Sequence, residues 1–179
     1  MDETLFWQII EEAGSPDQYS PEEQCDQISD RLASLSKADL IAFENVRQEL
    51  LAKAYTWPML KACFIVLSYV SDDVFEDFRH WVMLNGKSRF YDTIKNPDAM
   101  AEFIDVEDPI EEISGEPLLF VVEDAWEGDF EEIEKEVEYP ELPDIACEWP
   151  PKLHLQREFP SLFKRFWNED RIREIHGDS

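Results

Sequence analysis

The sequence predicts an all-α fold: a compact multi-helix domain with an irregular, acidic, Pro-containing C-terminal extension. Three observations predict it. Apolar residues recur at spacings of three and four along much of the chain, the period that gives a helix one buried face. Helix-start signals precede several of these runs, with Ser or Asp ahead of an acid three residues on, as in Ser20 with Glu23, Ser36 with Asp39 and Asp73 with Glu76. No pair of strands is evident. The one run that reads equally well as a buried strand, Leu118–Val122, would have no partner for its backbone N–H and C=O groups.

In chain order, Leu5, Phe6, Ile9, Ile10 and Ala13 give a first helix one apolar face, and Gly14-Ser15-Pro16 stops it. Ser20-Pro21-Glu22-Glu23 combines an N-cap, a proline at the first helical position and a glutamate at the third, the most complete start signal in the chain. The second helix turns Ile28, Leu32 and Leu35 inward. A third runs from Ser36 and Asp39 through Leu40, Phe43, Val46, Leu50, Leu51 and Ala54 to a break at Tyr55-Thr56. Trp57 to Val70 is apolar on nearly every side, interrupted mainly by Lys61 and Ser68, which marks it as the core helix. It falls short of the roughly 18–20 apolar residues that a bilayer crossing needs, so it is read as buried in protein.

The stretch Ser71–Gly86, SDDVFEDFRHWVMLNG, has the densest mix of acidic, basic and aromatic residues at helical spacing. Asp73 and Glu76 fit a capping box, and Asp72, Asp73, Glu76 and Asp77 favour the positive end of the helix dipole. Val74, Phe75, Phe78, Trp81 and Val82 form one apolar stripe, which Gly86 can end in the left-handed conformation. With the core helix it should make a helical hairpin. Lys87–Lys95 reads as a shorter helix with Phe90, Tyr91 and Ile94 inward, and Asn96-Pro97 restarts the chain into a turn or two holding Met100, Phe103 and Ile104.

Asp105–Glu116 is acidic and irregular, after which Pro117 can open a helix carrying Leu118–Val122 and Trp126, ended or bent at Gly128. Asp129–Glu138 keeps Phe130, Ile133 and Val137 as one apolar strip among acids. Four prolines between Pro140 and Pro151 forbid a helix and indicate an extended wrap pinned by Ile145 and Trp149. Pro160 opens a last helix with Leu162, Phe163, Phe166 and Trp167. The expected organisation is a helical domain over residues 1–138, with a Pro-containing wrap and short helix over 139–179 packed on it.

A chain of 179 residues, 44% hydrophobic and 13% aromatic, can bury a substantial core as one domain despite a net charge of −26. No basic start followed by an apolar run marks a secretory signal. Cys25, Cys63 and Cys147 are too widely spaced for a disulfide framework or a zinc motif, so a cytoplasmic location is expected. The charge is unevenly distributed. Residues 1–97 carry 17 acids and 9 bases, residues 98–149 carry 20 acids and Lys135 alone, and residues 150–179 carry 5 acids and 6 bases. A field of that sign repels phosphates and anionic lipid surfaces, so direct binding to nucleic acid or membrane is not expected.

The opening MDETLFW, the pattern of Ala54, Tyr55 and Trp57, and S-D-D-x-F-x-x-F-R-x-W from Ser71 to Trp81 resemble a bacterial family, the domain-of-unknown-function family four-two-four-zero, over roughly residues 1–130. The likeness rests on aromatic and capping positions. It implies a shared fold, brings no catalytic residue with it, and does not reach the Pro-rich stretch after Tyr139.

Asp72, Asp73, Arg79, His80 and Trp81 form the strongest candidate for a ligand or interface site, since acids, a fixed cation and an imidazole near one helix can bind or transform a polar ligand. A structural role is favoured, because one helix supplies every member whereas pockets draw on several elements. On that reading the acids cap, Arg79 pairs with Glu76 one turn away, and His80 is partly exposed. Asp105, Glu107 and Asp108, like Asp124, Glu127 and Asp129, lack the glycine and terminal glutamate of a calcium loop and read as solvated surface. His80, His154 and His176 are scattered, so neither metal nor cofactor is expected. Cys63 sits in the most apolar helix, where a thiol is inert.

No nucleophile elbow, Walker loop or dinucleotide fingerprint is present, and five glycines leave little for a phosphate cradle, so no catalytic residue is assigned. Most of Trp7, Trp57, Trp81, Trp126, Trp149 and Trp167 read as core; the last three, beside prolines and acids, are in the setting of an aromatic anchor within a charged rim. The expected function is a non-enzymatic interaction domain. Its acidic face, with Glu131, Glu132, Glu134 and Glu136, would bind a basic protein such as a toxin-like nuclease, in the manner of immunity proteins and nucleic-acid mimics. The alternative is a small-molecule-binding or enzymatic domain with a polar pocket at the helix of Asp73 and Arg79.

Overall fold

Five short polar side chains open the first five helices by accepting the N–H groups that a first turn leaves unpaired. Asp2 caps α1 (Glu3–Glu12), Ser20 caps α2 (Pro21–Leu32), Ser36 caps α3 (Lys37–Ala54), Thr56 caps α4 (Trp57–Leu67) and Ser71 caps α5 (Asp72–Leu84). The box at α2 is complete, with Glu23 N donating to Ser20 Oγ at 3.2 Å and Ser20 N donating to Glu23 Oε2 at 2.9 Å. At α5 the structure corrects the expected cap. Ser71, held in extended backbone, receives Val74 N at 3.2 Å, so Asp73 is already helical and contributes only its charge to the first turn.

The computed structural model describes residues 2–145 and 148–177, and Cys147 lies outside them. Beyond α5 come α6 (Lys87–Lys95), a 3₁₀ turn over Pro97–Glu102, α7 (Pro109–Glu112), a 3₁₀ turn over Glu116–Leu119, α8 (Val121–Ala125) and α9 (Glu131–Glu134). The chain ends in α10 (Lys152–Glu158), α11 (Pro160–Phe166) and α12 (Glu169–His176), and no strand occurs among the described residues. α4 stops three residues before Val70 because Ser68 takes the left-handed conformation, φ 63°. Gly86, at φ 87°, ends the α5 run as its position implies.

The core is one cluster in which Phe6, Trp7, Phe43, Met59, Cys63 and Phe78 are buried together. α4 packs against α5 and α11, and α2 carries α8 on its flank. Leu118–Val122 is no strand, and the helix expected from Pro117 is split into a 3₁₀ turn and α8. Just ahead of it Gly115 is pinned to α5: its N–H donates to Asp77 O at 3.0 Å, and a Cβ there would lie 2.2 Å from Trp81 N. Only glycine lets the two backbones approach so closely.

The last quarter is more ordered than its prolines imply. The described residues of 140–151 contain no helix, but α10 follows at once and α12 adds a helix that had not been expected. Leu155, Phe159 and Leu162 join the core, and buried Lys61 of α4 pairs with Glu158. Asp98 caps α11 from a distance, receiving Ser161 N and Leu162 N at 2.9 Å each. Trp149 lies against Trp57 and Phe64, with ring centroids 5.0 and 4.9 Å apart, and Trp167 stacks on Phe163 at 4.6 Å.

Candidate functional site

α5 divides its polar residues between two environments. Asp72 and Asp73 are exposed on the first turn, whereas Arg79, His80 and Trp81 are buried two turns on. Arg79 does not pair with Glu76. Its Nε donates to Phe75 O at 3.1 Å and its Nη1 to Leu51 O at 2.8 Å, with the guanidinium 4.7 Å from the Phe75 ring centroid and 5.0 Å from that of Tyr55. Leu51 lies in the last turn of α3, where carbonyls lack helical partners and the dipole favours a cation, and two aromatic faces complete the site.

His80, expected to be partly exposed, has no exposed surface. Arg47 Nη1 lies 2.7 Å from its Nε2. A guanidinium only donates, so Nε2 accepts and the ring proton belongs on Nδ1, which has no partner. Burial, reinforced by the cations Arg47 and Arg79, holds the imidazole well below its usual range. Arg47 in turn forks onto Glu44, one turn back on α3, with Nε 3.2 and 3.1 Å from the two carboxylate oxygens. The structure therefore gathers Glu44, Arg47, Arg79 and His80 in the interior and leaves Asp72 and Asp73 outside. Neither Glu44 nor Arg47 was singled out from the sequence. Their signal was position: each lies four residues after a core member, Leu40 and Phe43, on the buried stripe of α3. The imidazole has no exposed surface, and the contacts of Arg47 with His80 and of Arg79 with Leu51 O join α3 to α5.

The surface carries the uncompensated charge. Glu131, Glu132, Glu134 and Glu136 are all exposed, but Glu132 and Glu136 flank Lys37 at 3.5 and 3.2 Å, leaving Glu131 and Glu134 without an ion pair. Of the 20 acids over residues 98–149, four reach a cation among the described residues: those two, Asp105 with Arg165 and Asp108 with Arg171. A cleft of about 630 Å³ lies between residues 16–23, the loop before α2 and its first turn, and residues 105–117, with Trp81 on its wall. Seven of its lining residues are acids and none is Lys or Arg. Glu23 and Glu112 accept backbone N–H groups, and Asp17 and Asp105 face Arg89 and Arg165; among the described residues Glu22, Glu111 and Glu116 have no cation within ion-pair distance.

Cys25 and Cys63 are buried free thiols. Burial, then Asp26 and Asp124, pushes Cys25 up to about 12, and burial raises Cys63 as well. Among the described residues no three His, Cys, Asp or Glu side chains are arranged to hold a metal ion, and no single helix is long and apolar enough to cross a membrane.

Fold and surface together define an acidic all-α domain whose charge is concentrated outside and whose buried polar network ties α3 to α5. The chain belongs to the family described as Protein of unknown function (DUF4240), which matches residues 1–128, ending between α8 and α9. Comparison with curated proteins and with solved structures returns no match.

Proposed function

We propose that the protein is a non-enzymatic interaction domain that binds a basic protein through its acidic surface. The observation that carries this reading is the absence of compensation: 16 of the 20 acids over residues 98–149 have no cation within ion-pair distance among the described residues. A field of this kind steers a cationic partner and repels polyanions. The cleft beside Trp81 gives the partner's cations a place to dock, and Glu22, Glu111 and Glu116 supply the charge. A nuclease with a basic substrate groove fits this chemistry, as do other proteins with an exposed cationic face. Action in the cytoplasm belongs to the same proposal, supported by two buried thiols left unpaired. The pocket reading at Asp73 and Arg79 has less support, because the guanidinium is spent on interior carbonyls.

The test is capture of the partner from the source cells, followed by association kinetics. The rate should fall steeply as salt rises past about 0.15 M, where the screening length reaches about 8 Å. Replacing Glu131, Glu132, Glu134 and Glu136 with Gln should slow association several-fold, with Glu131 and Glu134 supplying most of the effect because the other two already answer Lys37. An unchanged rate in the neutralised protein would defeat the proposal.

A further inference from the structure

A second cavity, of about 320 Å³, opens where α4 ends and where α5, α7 and α12 meet. Its rim is made by Tyr69, Ile110 and Ile175, which are 40%, 46% and 41% exposed. Large apolar side chains on a surface are normally scattered singly. Here three, from three separate parts of the chain, converge on one opening. Leu67, Val74 and Ile113 complete the apolar wall, and the polar side chains of the lining are Asp77, Ser114 and, on the rim, the Tyr69 hydroxyl.

Asp77 is the anomaly in this wall. Among the described residues no cation lies within ion-pair distance of its carboxylate, and the charged groups that act on it, Glu116, Glu76 and Asp73, all share its sign. His176, near the rim beside Tyr69, is turned to Ser68 O at 3.1 Å. Burial first, and those three acids after it, lift the Asp77 carboxyl to about 6, so at neutral pH it is ionised in an unfavourable setting. A ligand that brings a positive charge relieves this, whereas an anion worsens it and a neutral apolar molecule removes water from the carboxylate without compensating its charge.

We propose that this cavity binds a small organic amine, its aromatic or branched apolar body held by Tyr69, Val74 and Ile113 and its ammonium group paired with Asp77. The volume is near the lower end of the roughly 300–1,000 Å³ typical of ligand pockets, which suits a compact ligand of one ring. The cavity adjoins the acidic cleft, since Ser114 lines both and Glu116 acts on Asp77, but Asp77 itself is not among the acids on which protein recognition was argued. The two readings can therefore fail independently.

The experiment titrates the full chain at pH 7.5 with phenethylamine and, in parallel, with 2-phenylethanol, which keeps the ring and replaces the ammonium by a hydroxyl. The amine should bind at least tenfold more tightly. Asp77→Asn should bring the two to within about twofold, since the carboxylate has no protein partner to lose. Val74→Phe should fill the cavity and abolish binding of both, with far-UV circular dichroism reporting the fold; if that variant does not fold, the Asp77→Asn comparison decides alone. Neutralising Glu131, Glu132, Glu134 and Glu136 should leave amine affinity within twofold. Absence of amine binding, equal affinity for amine and alcohol, or full amine affinity in Asp77→Asn would each overturn the proposal. So would saturation by a lysine-containing peptide but not by the amine, which would make the cavity part of a protein interface.

Discussion

His80 and Asp77 lie three residues apart on α5 and answer to pH in opposite senses. The His80 imidazole is held well below its ordinary 6.5, so the unfolded chain takes up its proton first as pH falls. Its contribution to stability is complete above about pH 6.5 and is lost below it, by at most about 1.4 kcal/mol per pH unit for one proton. Asp77 is raised from 3.8 to about 6, so the folded state binds its proton first; that contribution is complete below about 3.8 and is lost as pH rises through 6. Asp77→Asn should therefore stabilise the protein at pH 7–8, by about 1 kcal/mol once solvent screening of a half-exposed carboxylate is allowed for, and the gain should vanish by about pH 4. His80→Gln keeps an acceptor for Arg47 but cannot be protonated. It should flatten the loss of stability between pH 6.5 and 4 while costing little at pH 7.5. Urea titrations of both variants across this range check the two signs, and an unaltered acid slope in His80→Gln would refute the buried neutral ring.

At the scale of elements, the correction at α5 gives a sharp comparison. Ser71→Ala removes the hydroxyl that accepts Val74 N and should cost about 1 kcal/mol, whereas Asp73→Ala loses only a dipole interaction and should cost less than half as much. Equal losses in thermal unfolding would restore Asp73 as the cap. Helices α1 to α6 were legible because periodicity, caps and breakers agreed along each of them. The split of the Pro117 helix was not, because it accompanies a tertiary contact, the approach of Gly115 to α5, that no local pattern records. α12 was missed for a different reason: Ile172 and Ile175 are its only large apolar residues, too few for a stripe. α10 was hidden by the prolines before it, although Pro151 stands where a helix can start. The interior site was half legible. Arg79 and His80 stood out as residues, but their burial and their partners Glu44 and Arg47 depend on α3 packing against α5, and charged residues on an apolar stripe read first as interruptions of it.

Over the whole molecule, the 42 acids and 16 Lys and Arg residues settle the sign of the salt response. Salt weakens surface ion pairs and also relieves repulsion between like charges. Even with every base matched to one acid, a charge of −26 would remain, so repulsion outweighs pairing and the folded state is under electrostatic tension at low ionic strength. The melting temperature should therefore rise by several degrees between about 0.01 M and 0.15 M sodium chloride, as the screening length falls from about 30 Å to about 8 Å. Replacing Glu131 and Glu134 with Gln should raise the low-salt melting temperature and reduce its salt dependence. Replacing Glu132 and Glu136 should do less, because each also gives up an interaction with Lys37. Equal effects of the two pairs would mean that Lys37 contributes nothing to that surface. A melting temperature that falls with salt would mean that the exposed ion pairs dominate, and the surface would then lack the excess field on which recognition of a basic partner depends.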